Sequence, residues 1–188
     1  MSDSPKALIL LSGGLDSSAC VSFYLSRNYE VTGLFVDYNQ AAALKERNSA
    51  TLISKHYNIK LLTLACNGFR QWGTGLIIGR NSFLLTTALL TANFGTGLIS
   101  IGLHSGTSYN DSSSYFLTQM QNLFNLYTDG KISIGAPFIN WNKSDIWSYC
   151  LKASVPIDLT YSCENGLNEP CGSCQSCKDR EALYASQK

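Results

Sequence analysis

The chain has 188 residues, 45% of them hydrophobic, and its 14 Lys and Arg against 13 Asp and Glu leave a formal net charge of +1. That length suits one globular domain with a core of its own, which excludes a disordered chain and a disulfide-stapled miniprotein. Charged residues reach only 14%. The matched signs lack the Lys and Arg excess with which duplex or tRNA binders displace counterions, so a small-molecule substrate is expected and direct nucleic-acid binding is not.

Residues 6–11 read as the first strand, an apolar run that stops at once on Ser12-Gly13-Gly14. The run is too short for a signal-peptide core, and no stretch of about 20 apolar residues follows, so the expectation is a cytoplasmic protein without membrane contact. Further strands are expected at 30–36, 59–65, 98–103 and 131–134, with helices at 16–27, 40–56, 81–93, 113–127 and 143–153. Apolar β-rich runs alternating with helical patterns predict an α/β fold, a Rossmann-like three-layer parallel sheet with helices on both faces. Ligands of such sheets bind outside the carboxyl ends of the strands where the order reverses, which puts the turn at 12–17 in the site. Residues 66–79, glycine-rich and without period, read as a loop over that edge. From Ser154 the composition shifts to Pro, Gly, Asn and Cys. Residues 1–153 are therefore expected to form the main domain, and 154–188 a loop- or metal-organised arm of the same structural unit.

The strongest catalytic signal is Ser12-Gly13-Gly14-Leu15-Asp16-Ser17, set between a strand and a helix. Glycines let the backbone turn tightly and aim successive N–H groups outward, and the helix that follows adds positive potential at its N-terminus, so an anion fits there. No Gly-Lys-Ser/Thr follows, as in a Walker loop, and Gly-x-Gly-x-x-Gly is missing. Leu11 to Ser18 form the candidate cradle, with the hydroxyls of Ser12, Ser17 and Ser18 adding to the backbone donors. Asp16 either caps the helix or positions a magnesium ion. Asp37, at the end of the second strand, is a candidate for binding magnesium or a nucleotide, with turn chemistry as its other reading. Lys143 is placed to stabilise charge on leaving pyrophosphate, or is a plain first-turn lysine. His104, at a strand terminus, is either a site residue or a polar group of the core.

Seven cysteines in a cytoplasmic chain call for a reason other than disulfides. Cys171, Cys174 and Cys177 form a Cys-x2-Cys-x2-Cys run, and with Cys163 eight residues earlier they make a four-thiolate metal signature. Zinc is the default, in a closed structural site that pins the arm beside the cleft, while an iron–sulfur cluster has similar spacing. Lys178 and Arg180 are placed to balance the thiolate charge. Cys20, Cys66 and Cys150 read as small core residues.

Ser-Gly-Gly-Leu-Asp-Ser is similar to the pyrophosphate-binding loop of the ATP pyrophosphatases, the PP-loop family. Residues 10–20, 35–40, 79–84, 109–111, 136–140 with Lys143, and 159–180 together resemble the QueC-type 7-cyano-7-deazaguanine synthases. The resemblance implies an adenine nucleotide α-hydrolase-like fold, ATP, Mg2+ and Zn2+ as cofactors, and a homodimer. It implies an ATP-dependent ligase that adenylates the carboxylate of 7-carboxy-7-deazaguanine, releases pyrophosphate and, with ammonia, forms an amide and then the nitrile preQ0 of queuosine biosynthesis. By the same resemblance Arg80 reaches phosphate of the nucleotide or substrate. Asp111, in the turn after the fourth strand, is placed to offer two oxygens to the adjacent N–H donors of a guanine-like edge; helix capping is the other reading of each. A tRNA-modifying thiolase shares the loop, but the near-neutral charge speaks against one.

The chain also departs from the family. Ala41-Ala42-Ala43 stand where Arg-His is usual, and Ser112-Ser113 where Cys-Arg is usual. Those changes fit a related enzyme that passes the activated acyl group to another amine, such as a protein acceptor in antiviral defence. A non-catalytic nucleotide-binding scaffold is the reading from another class.

Overall fold

Alternation along the first strand sets the architecture. In β1 (Lys6–Leu10), Ala7 and Ile9 enter one core while Leu8 and Leu10 enter the other, because successive side chains of a strand point to opposite faces. A strand buried on both faces belongs at the centre of a parallel sheet. The structure, a computed structural model, places it there and describes residues 4–68, 70–73, 75–106 and 109–185. Phe69 and Thr74 of the expected loop and the last three residues of the arm lie outside the described residues.

The other strands are β2 (Glu30–Asp37), β3 (Lys60–Ala65), β4 (Gly97–Ser100) and β5 (Ile132–Gly135). All pair in parallel in the order β3-β2-β1-β4-β5. The order reverses between β1 and β4, and the crevice outside their carboxyl ends is the place where such sheets bind ligands. Helices α1 (Leu15–Leu25), α2 (Ala43–His56) and α5 (Lys143–Lys152) bury one face, with Phe138 and Ile146 fully enclosed. Helices α3 (Arg80–Thr91) and α4 (Ser114–Thr128) bury the other, around Leu85 and Phe124. Cys20 and Cys150 sit in the first core and Cys66 packs against the second. No described helix is long and apolar enough to cross a membrane.

Three expectations are corrected. The fourth strand ends at Ser100 rather than at 103. Gly102 lies against the first turn of α1, where an added Cβ would meet Asp16 and Ser17 backbone atoms at 3.0 and 3.1 Å, so the chain leaves the sheet to pass over that turn. The second helix starts at Ala43 rather than at 40, because Gln40 folds its amide back to accept the Tyr38 N–H at 2.9 Å. The arm, for which no helix is expected, carries a sixth, α6 (Gln175–Ala185), which buries Cys177 and Leu183.

Candidate functional site

The turn after β1 takes its shape from Gly13. Its φ of +79° is open to glycine, and an added Cβ would meet the Ala50 nitrogen and Glu46 carbonyl of α2 at 2.7 Å. Gly14 caps α1 without help from a side chain. Its carbonyl accepts from Ser17 Oγ at 3.1 Å and Ser18 Oγ at 2.7 Å. Ser18 is fully buried and Ser17 nearly so, so these two hydroxyls brace the turn from within. Ser12 Oγ stays at the cleft, 3.2 Å from Ser17 Oγ, and accepts the Gly14 N–H. Leu11 and Leu15 form the apolar floor. The first N–H groups of α1 have no carbonyl one turn back to bond, which leaves them for an anion.

Asp16 does not cap its helix. Its Oδ2 accepts from Lys143 Nζ at 2.5 Å, and His104 Nε2 stands 3.5 Å from that nitrogen and 3.9 Å from that oxygen. Lys143 opens α5, held by a capping box in which Asn142 and Asp145 exchange hydrogen bonds of 3.0 Å. His104 Nδ1 accepts the Gly106 N–H at 3.0 Å, which assigns the ring proton to Nε2. Burial first, and the Lys143 charge second, push the His104 pKa down. Asp16 Oδ1 is buried and has no hydrogen-bond partner among the described residues. A lone carboxylate oxygen beside a phosphate cradle suits a magnesium ion, which binds through one or two carboxylates plus phosphate oxygens.

The depressed His104 pKa has a testable consequence. Unfolding returns the group to 6.5, so between its folded value and 6.5 the unfolded chain binds the extra proton. Stability from this source is complete above 6.5 and is lost as the pH falls below it. His104→Gln is expected to flatten that acid limb in urea unfolding between about pH 5 and pH 8. A limb unchanged in the variant would exclude His104 as its source.

Opposite this group, the cleft wall carries Tyr38, Gln40, Glu46 and Arg80. Gln40 Nε2 donates to Glu46 Oε2 at 2.8 Å. Burial raises the Glu46 pKa, opposed by the Gln40 hydrogen bond and the Arg80 charge. Burial also raises the Tyr38 pKa, opposed by the charge of Arg80, the first residue of α3. Asp37 Oδ1 accepts the Asn39 N–H at 3.0 Å, and Asp111 gives its backbone carbonyl to Asn81 Nδ2 at 2.9 Å; neither side chain lines the cleft. The open volume is about 670 Å³, within the range of small-molecule sites.

The arm closes the cleft from the third side. The Tyr161 N–H donates to the Gly13 carbonyl at 3.0 Å, and Ser49 Oγ bridges that carbonyl, at 2.9 Å, and the Leu159 carbonyl. Arg180 reaches Thr160 and the Ile157 carbonyl at 3.0 to 3.1 Å instead of the thiolates. The Sγ atoms of Cys163, Cys171, Cys174 and Cys177 all lie within 4.8 Å of one another, with Cys171 and Cys177 at 3.9 Å. A single tetrahedral ion with metal–sulfur bonds of about 2.3 Å sets its sulfurs about 3.8 Å apart. The sulfurs here fit one ion better than an iron–sulfur cluster, whose thiolates sit on different irons. Hydrogen bonds from the Ser173 hydroxyl and the Cys174 N–H lower the Cys171 pKa to about 5, favouring the thiolate.

The sequence therefore points to the turn and the thiolates but not to Glu46, Ser49 or Tyr161. Their roles arise from α2 and the arm meeting at Gly13, a contact between positions 36 residues apart for Ser49 with no mark in a single sequence.

A family profile described as Queuosine biosynthesis protein QueC matches residues 6–78 and 74–188. A 7-cyano-7-deazaguanine synthase of Prochlorococcus marinus (strain MIT 9515) is 30% identical over 212 residues, covering 97% of this chain and 94% of the relative. Another, of Thermoplasma volcanium, is 31% identical over 205 residues, covering 93% and 84%. Among solved structures, NMN synthetase from Francisella tularensis has a TM-score of 0.56 at 16% identity, over 97% of this chain and 77% of that one. NH3-dependent NAD synthetase from Campylobacter jejuni has 0.51 at 16%, over 99% and 76%. At these identities the likeness to the two structures is one of fold. By profile and by relatives, the chain belongs to the QueC family, an enzyme family of synthases.

Proposed function

We propose that this enzyme adenylates the carboxylate of 7-carboxy-7-deazaguanine with ATP and converts the acyl adenylate with ammonia to an amide and then to the nitrile. The observation that carries the proposal is the Asp16–Lys143 pair set at the mouth of the Ser12–Ser17 turn, where a pyrophosphate would be cradled. A carboxylate oxygen attacks the α-phosphorus, the bond to the bridging oxygen breaks, and pyrophosphate departs with the electron pair. The turn's N–H groups and Lys143 receive that charge, and Asp16 orients Lys143 through its short ion pair. Ammonia then attacks the acyl carbon, AMP leaves and a proton is lost. The amide oxygen attacks the α-phosphorus of a second ATP, which releases a second pyrophosphate, and loss of AMP with the two N–H protons leaves the nitrile.

Magnesium, held by Asp16, would neutralise charge on the departing pyrophosphate. Zinc, held by the four arm cysteines, would be structural. The family resemblance favours a homodimer, with ammonia as the acceptor. A second reading, transfer to a bulkier amine such as a protein, is favoured by one observation. Ala42 and Ser112, at positions where larger side chains are usual in the family, both line the cleft and leave room there.

Pyrophosphate release from ATP with 7-carboxy-7-deazaguanine, with and without ammonia, tests adenylation, and mass analysis of the products tests the second half. The expected product is amide accumulating ahead of nitrile, because the small residues at 41–42 and 112–113 cannot orient a weakly nucleophilic amide oxygen. Conversion through to nitrile with no amide would make the substitutions neutral. No pyrophosphate release would favour a non-catalytic scaffold.

A further inference from the structure

Glu46 has a place in the cleft that the adenylation chemistry leaves unused. Its backbone carbonyl abuts Gly13, so it stands beside the turn on the α2 side, while Asp16, Lys143 and His104 lie at the turn's other end, over α1 and α5. Its carboxylate is held in one orientation. The Tyr38 N–H donates to Gln40 Oε1, which fixes which end of that amide carries the NH2 group, and the NH2 group in turn donates to Glu46 Oε2 and to the Val36 carbonyl. Gln40 is thereby fully engaged, and it serves as a positioning residue for Glu46.

A carboxylate serves the phosphates of ATP only through a cation, the role proposed for Asp16 at the turn's other end, and it repels the carboxylate of the second substrate. Arg80 offsets part of the Glu46 charge, and the lone pairs left over suit a neutral group that offers hydrogen-bond donors, a carboxylate being matched to two adjacent N–H groups. We infer that Glu46 accepts the paired N–H donors of the deazaguanine ring, N1–H and the 2-amino group, and so determines specificity for that ring over rings that lack them. The inference rests on the function proposed above. Its geometry is self-consistent: the donor edge lies across the ring from the carboxylate, so an anchor on the α2 wall can hold the ring while its far side faces the turn.

The test uses direct binding to the full chain, with 7-carboxy-7-deazaguanine, its analogue without the 2-amino group, and an ATP analogue with a methylene bridge between the α- and β-phosphates. Glu46→Gln keeps the shape of the side chain, and thermal unfolding checks that the variant folds. The unaltered protein is expected to bind the deazaguanine about ten- to a hundredfold more tightly than Glu46→Gln does, the range for a hydrogen bond to a charged group. It should also discriminate against the analogue without the 2-amino group, and the variant should lose that discrimination, while the ATP analogue binds both proteins equally. The loss of discrimination is the readout that a merely structural role would not move. Weaker binding of the ATP analogue with the deazaguanine unaffected would overturn the inference and assign Glu46 to the ribose diol. Discrimination retained in the variant would overturn it as well. An unaltered protein that binds the ATP analogue but no deazaguanine would instead sink the proposed function, and the inference with it.

Discussion

Lys143→Ala is expected to slow pyrophosphate release by about 10²- to 10³-fold, the usual effect of removing one preorganised group from developing negative charge. The lysine is poised for that role by three features of the fold. It begins α5 behind a capping box, its ammonium is held by Asp16, and both side chains are less than one-third exposed, at 28% and 21%. Partial burial matters because a charge screened by water would contribute little. Asp16→Asn should reduce the rate by a similar route, since it removes the anion that fixes the ammonium and the carboxylate suited to magnesium. Phosphoryl transfer depends almost entirely on positioning and charge stabilisation, so neither loss has a substitute elsewhere in the cleft. Both variants should keep their thermal unfolding and zinc content, because neither side chain belongs to an apolar core cluster or to the thiolate group. Rates near that of the unaltered protein in both would remove the pair from the reaction.

The elements legible in the sequence are those whose signals are local. The strand, turn and helix from Lys6 to Leu25 follow from an apolar run, two glycines and a helical pattern, and the four thiolates follow from spacing alone. The parallel sheet follows from alternation, because a central strand such as β1 must be apolar on both faces. What escaped depends on contacts between distant segments. The early end of β4 arises where Gly102 meets α1, and the late start of α2 arises from a side chain folding back on its own backbone. Helix α6 escaped for another reason: it buries Cys177 and Leu183 and little else, so its polar sequence carries no apolar stripe. Asp37 and Asp111 show the limit in reverse. Asp37 stands at a strand end and Asp111 in the turn before α4, both suited to a ligand-binding carboxylate, yet Asp37 bonds its own turn and Asp111 presents its main chain to Asn81.

Because α6 has so little apolar surface to hold it, the arm should depend on its metal. The protein is expected to carry about one zinc ion per chain, and a chelator or Cys174→Ser should expose residues 162–185 to faster proteolysis while the sheet keeps its protection. The effect should reach the phosphate cradle. Cys163 lies two residues beyond Tyr161, whose N–H holds the Gly13 carbonyl, and Ser49 ties that same carbonyl to Leu159. Loosening the arm therefore withdraws partners from the residue whose left-handed backbone shapes the turn, and binding of a methylene-bridged ATP analogue should weaken together with the onset of proteolysis. Ser49→Ala separates the two effects. It cuts the bridge without touching a thiolate, so it should weaken the ATP analogue while zinc content stays at its original level. Resistance to proteolysis and analogue binding that both survive chelation would show that the arm stands without a metal. Visible absorbance with iron and sulfide in the purified protein would replace the zinc with a cluster, which four sulfurs gathered within 4.8 Å disfavour.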